Sequence, residues 1–120
     1  MSYQVPNEKL YNLSMIQEIA HGNMDFVNKM KALFIETMPP AINEIKEHLN
    51  NSNWNDLGAV AHKIKPSIDT MGIEHLKEDI RLMERYGKES SNLDELPILF
   101  EKLDAIIGKV ISDLKEELNS

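Results

Sequence analysis

Apolar residues recur at intervals of three and four along nearly all of this 120-residue chain, and hardly any stretch alternates with a period of two. That spacing lines one face of a helix, whereas a half-buried strand needs alternation. The pattern therefore restricts the chain to an all-α fold. Leu13, Ile16, Ile19 and Ala20 mark a short first helix that ends near Gly22. Asn23 then stands where its side-chain oxygen can accept from an unpaired amide in the first turn of a second helix. The stripe of that helix reads as Phe26, Met30, Leu33, Phe34, Thr37, Ala41, Ile45 and Leu49. Pro39 and Pro40 lack amide hydrogens and crowd the preceding turn. Because the stripe keeps its phase across them, one kinked helix is expected rather than two.

Residues 50–53 form a polar turn, and Asn53 followed by Asp56 predicts a helix start. Trp54, Leu57, Ala61, Ile64, Ile68 and Met71 line the third helix, which Gly72 can close as a left-handed cap with Ile73 as its apolar contact. A fourth helix carries Leu76, Ile80 and Met83 and is expected to stop near Gly87; a polar connection over residues 88–94 follows. The last helix spans about Leu96 to Leu118 through Leu99, Leu103, Ile106, Val110 and Leu114. Four amphipathic helices with short connections predict an antiparallel four-helix bundle preceded by a short extra helix. The length supports one domain. The bundle is assigned to residues 11–120, with residues 1–10 as an N-terminal extension outside the core.

Composition narrows the function. The chain has no cysteine, which excludes a disulfide scaffold, a thiolate metal site and a cysteine nucleophile. Thirteen basic against twenty acidic residues give a net charge of −7, which argues against nucleic acid or an anionic membrane as the partner. The five glycines are scattered and form no phosphate-cradling loop, so nucleotide hydrolysis by the chain alone is not expected. The N-terminus lacks the basic start and apolar core of a signal peptide, and no apolar run approaches the ~20 residues needed to span a bilayer. A cytoplasmic location is the expectation. Glu18 and His21 have the Glu-x-x-His spacing of carboxylate-bridged dimetal bundles, but that class needs a second copy, and Glu44 and His48 are four apart. No metal is expected, and the seven methionines read as core filler.

His21, His48 and His75 fall at helix ends, where exposed histidines are ordinary. His62 falls mid-helix, roughly 130° from the mean direction of the apolar stripe, with Gly58, Lys65 and Asp69 at roughly 70–110° on the same side. Lys63 and Lys65 place two cations beside it in an otherwise acidic protein. Gly58, Ala59 and Ala61 keep its surroundings low. Glycine in a helix interior costs about 1 kcal/mol relative to alanine, which suggests that something must come close at position 58. The plain alternative is an exposed histidine beside exposed lysines. A neutral imidazole is a competent nucleophile near neutral pH, and its attack on a phosphoryl group gives a phosphoramidate that can be passed on. Lys65, one turn along, can reach a phosphoryl oxygen.

The segment Ala61-His62-Lys63-Ile64-Lys65-Pro66-Ser67-Ile68-Asp69-Thr70-Met71-Gly72 resembles the phospho-acceptor helix of histidine-containing phosphotransfer (HPt) domains. Those domains are four-helix bundles that shuttle phosphoryl groups between receiver domains in multistep phosphorelays. His62 matches the acceptor, Lys65 the phosphate-side lysine three residues on, and Met71-Gly72 the pair that closes the helix. The resemblance extends loosely over about residues 12–118. It implies that His62 accepts a phosphoryl group from a receiver aspartate and passes it to another, with Lys65 stabilising a phosphoryl oxygen. Gly58, Ala59, Lys63, Pro66 and Asp69, with Val60, would form the docking surface. The implied partners are response-regulator receiver domains and a hybrid sensor histidine kinase. Any Mg2+ would sit in the receiver. A monomer without a cofactor, and without ATP-dependent kinase activity of its own, is expected.

Pro66 departs from the family pattern, which usually has glycine after the lysine. It cannot donate to the carbonyl of His62, so a local bend and a freed carbonyl are expected; alternatively the proline ends the helix early. The competing function is a non-catalytic helical-bundle interaction module or kinase inhibitor, whose binding would survive loss of His62.

Overall fold

The computed structural model of the chain describes residues 3–120. Among them it contains five α-helices: α1 (Ser14–Ala20), α2 (Met24–Asn50), α3 (Trp54–Thr70), α4 (Glu74–Glu89) and α5 (Leu96–Leu118), the last preceded by a single 3-10 turn at Leu93–Glu95. Helix α2 packs on α3 and α5, and α4 packs on the same two, which closes a four-helix bundle. Helix α1 lies against α2. No helix among the described residues is long and apolar enough to cross a membrane.

Local chemistry places the ends. The Asn23 side chain accepts from the amide of Phe26 at 3.2 Å and caps α2, as its position predicts. Asn53 does begin α3, yet its side chain makes no capping bond. Gly72 closes α3 with φ +62°: its amide donates to the Asp69 carbonyl and the Ile73 amide to the Ile68 carbonyl, each at 3.1 Å. That is the paired closing pattern of a helix capped by a left-handed residue, with Ile73 and Ile68 both buried beneath it. Helix α2 runs unbroken through Pro39 and Pro40, and α3 runs through Pro66, so the proline there does not end the helix early.

The apolar stripes of α3 and α5 are buried as read from the sequence, apart from the half-buried Trp54. Helix α2 differs. Its core positions are Val27, Lys31, Phe34, Met38, Ala41, Ile42 and Ile45, while Leu33 is 50% exposed and Phe26 and Thr37 are also exposed. The predicted stripe is displaced by about one position over its first half. Lys31 hides the true phase because it occupies a core site: its ammonium meets Glu117 Oε1 at 2.8 Å, and Tyr11 also donates to Glu117. The pairing supplies what a buried ammonium requires.

The N-terminal extension also requires correction. Leu10 is only 2% exposed, and Tyr3 and Val5 pack against the core. The Tyr3 amide donates to Glu101 Oε1 at 3.1 Å, and the Asn12 amide to the Met71 carbonyl at 2.9 Å. Residues 3–10 therefore line the bundle; residues 1–2 of the predicted extension lie outside the described part.

Candidate functional site

Helices α3 and α4 form the most extensive packing in the molecule, folded back on each other at the Gly72 turn. Residues about equally far before and after that turn face one another. Position 58 meets 87: a Cβ on Gly58 would stand 2.9 Å from the Glu84 carbonyl oxygen, and one on Gly87 would stand 2.6 Å from that of Trp54. The close approach foreseen at Gly58 is thus made by α4. Gly87, expected to end α4, lies buried inside it and allows the crossing.

One step along the same register, His62 meets Glu84. The imidazole is exposed, its side chain 61% accessible, and its Nδ1 lies 2.8 Å from Glu84 Oε2. Lys65 donates to the other carboxylate oxygen, Oε1, at 2.8 Å, and Lys88 donates to Oε2 at 3.0 Å. The Glu84 side chain is 15% exposed and holds three donors. Hydrogen bonds from Lys65 and Lys88 pull its carboxyl from the ordinary 4.5 down to about 2, so it is ionised at neutral pH. An ionised carboxylate only accepts, which assigns the hydrogen to Nδ1 and leaves the lone pair on Nε2. The chemical product of the arrangement is an oriented, exposed nucleophilic nitrogen with two ammonium groups nearby.

Further along, Asp69 is gripped by Arg81 through both oxygens, at 3.0 and 2.6 Å, and the paired guanidinium lowers its carboxyl. On the other flank of α3, a groove of about 570 Å³ runs between α2 and α3. Phe34, Met38, Ala41 and Ile64 line it, with Lys63 and Pro66 beside the His62 end.

A family model for the Hpt domain matches residues 29–118, from early in α2 to the end of α5. The chain belongs to the Hpt domain family. No curated protein and no solved structure matches it. Hpt domains serve histidine phosphotransfer in two-component signalling and interact with receiver domains and kinases.

Within this Hpt domain the predicted site residues separate into groups. His62 and Lys65 are brought together through Glu84. Ala59, Lys63 and Pro66 are exposed near them. Gly58 is buried under α4 and Val60 is buried in the core, so neither offers surface to a partner. Asp69 is occupied by Arg81. Among the described residues, most of the exposed large apolar side chains lie instead on α1 and α2, at Met15, Ile19, Met24, Phe26 and Leu33, with Ile98 on α5 as the exception. Sequence reasoning missed Glu84 and Lys88. Their signal was the register across Gly72, together with the i,i+4 spacing of the pair itself.

The lowered carboxyls of Asp69, Glu84 and Glu117 carry a stability prediction. Burial pushes Glu117 up, but hydrogen bonds from Lys31 and Tyr11 outweigh it. Because all three bind protons less readily when folded, their contribution is present above the ordinary carboxylate range and is lost as the pH falls through and below it, in the case of Glu84 toward about 2. The urea midpoint should therefore be level from pH 7 to 5 and drop between pH 4.5 and 3; a profile flat to pH 3 would contradict these assignments.

Proposed function

We propose that this Hpt domain is a phosphorelay intermediate in which His62 Nε2 accepts a phosphoryl group from a receiver aspartate and returns it to a second receiver. The observation that carries the proposal is the hydrogen bond from Nδ1 to Glu84, which directs the lone pair of an exposed imidazole outward. Nε2 attacks phosphorus, the P–O bond to the receiver aspartate breaks, and the aspartate leaves as a carboxylate with that electron pair. No proton has to move. The ring keeps its Nδ1 hydrogen and gains positive charge, which the adjacent Glu84 anion stabilises. Lys65, now on Glu84, is within side-chain reach of the new phosphoryl oxygens.

Transfer of this kind depends on positioning and charge compensation, so the domain can leave the magnesium ion to the receiver. The groove between α2 and α3, with Leu33 exposed on α2, offers the apolar surface on which a receiver would seat beside His62. The experiment is incubation with a phosphorylated receiver. Wild type should acquire an acid-labile label and His62→Gln none; equal labelling would leave only the helical interaction module or kinase inhibitor.

A further inference from the structure

Helix α2 carries two apolar faces, and the described residues cover only one of them. The open face holds Phe26, Met30, Leu33 and Thr37, all exposed except the half-buried Met30. Their spacings of four, three and four are those of a coiled-coil seam, whose inward positions meet a neighbouring helix. On that heptad Lys29 and Glu36 each stand one residue before an inward position, Met30 and Thr37 respectively. Both therefore lie on the same flank of the seam, one heptad apart. Both are exposed, and neither has an ion-pair partner among the described residues. The opposite flank is already packed, because Val27, Phe34 and Ala41 belong to the core.

A lysine and a glutamate split in this way select the occupant. When two copies of α2 meet antiparallel about a two-fold axis at Leu33, flanks of the same kind come together. Lys29 precedes Leu33 by four residues and Glu36 follows it by three. Lys29 of one copy thus lies across from Glu36 of the other, and the two-fold axis repeats the pair. A parallel arrangement would bring Lys29 to Phe34 and Glu36 to Ala41, which are buried and carry no countercharge. We infer that the open face of α2 binds a second copy of this chain, as an antiparallel pair of α2 helices centred on Leu33 and held in register by two Lys29–Glu36 pairs. A seam of about three turns buries little area, so the dimer is weak and reversible, with a dissociation constant of about 10 μM to 1 mM. Leu33 also borders the groove assigned to a receiver, so the dimer would close that seat. Only this consequence rests on the proposed function.

The test involves no phosphoryl transfer, so its outcome is independent of the acceptor assignment. Sedimentation equilibrium of the intact chain across that concentration range should show monomer–dimer exchange that weakens as salt is added. Lys29→Glu and Glu36→Lys should each weaken the dimer about tenfold or more, because both pairs then become like-charged. An equimolar mixture of the two single variants should associate as wild type does, and so should the double variant alone. Both positions are exposed, so circular dichroism of the variants should match wild type. Three results would overturn the inference: a wild type that stays monomeric throughout the range, a dimer insensitive to both single changes, or single variants that do not complement each other. Each would leave the face to another occupant, such as a receiver.

Discussion

Gly87→Ala is expected to cost about 2 kcal/mol of stability, whereas Gly108→Ala should add about 0.5–1 kcal/mol. Both glycines lie inside helices, and both replacements relieve the same conformational disadvantage. They differ in what the new methyl group meets. At position 108, on α5, nothing lies within 4 Å. At position 87 the Cβ would stand 2.6 Å from the Trp54 carbonyl oxygen, 2.8 Å from the Gly58 amide nitrogen and 2.9 Å from Gly58 Cα. These are backbone atoms of a neighbouring helix and cannot swing aside as a side chain would. The strain of separating α3 from α4 therefore outweighs the helix-propensity gain. Denaturant midpoints of the two variants test this, and a stabilised Gly87→Ala would show that the helices do not cross as closely as described. Since the same crossing sets the distance from Glu84 to His62, Gly87→Ala should also slow phosphotransfer.

Glu84→Ala should reduce the rate of phosphorylation of His62 by about 10- to 100-fold while changing stability by less than about 1 kcal/mol. Without the carboxylate the imidazole loses the acceptor that holds its hydrogen on Nδ1, so part of the population carries the hydrogen on Nε2 and cannot attack. The positive charge that develops on the ring also loses its counter-ion. The stability effect stays small because two of the three partners, His62 and Lys88, are substantially exposed and ion pairs of that kind contribute little, so that the less exposed Lys65 pair supplies most of it. Initial rates with a small phosphoryl donor, set beside urea melts of the same variant, separate the two effects. Unchanged rates would remove Glu84 from the mechanism, and parallel losses of rate and stability would make its role structural.

What could be read from the sequence follows from how local each signal is. Gly72 was legible because a left-handed cap needs only its own residues and the turn before it, and the α3 and α5 stripes because their apolar positions stand out against polar neighbours. In α2 two apolar rows run side by side. Phe26, Leu33 and Thr37 face solvent, and the true core row is interrupted by Lys31, whose burial depends on Glu117 from the far end of the chain. No local window contains that partner. His62 and Lys65 were found because they lie one turn apart on one helix. Glu84 was not, since its role arises only when α4 folds back across the Gly72 turn. Gly58 was noticed for the right physical reason and given the wrong neighbour: a helix of the same chain, not a partner, occupies the space it leaves.

The central claim, that His62 takes the phosphoryl group on Nε2 while Glu84 holds Nδ1–H, can be examined at atomic level. The chain would be labelled with nitrogen-15 in its histidine rings, phosphorylated, and recorded by nitrogen and phosphorus NMR. The expected result is a phosphorus–nitrogen coupling at Nε2 of His62, with a hydrogen retained on Nδ1, and no phosphorylated signal from His21, His48 or His75. Coupling at Nδ1, or phosphorylation confined to one of the other three histidines, would contradict it.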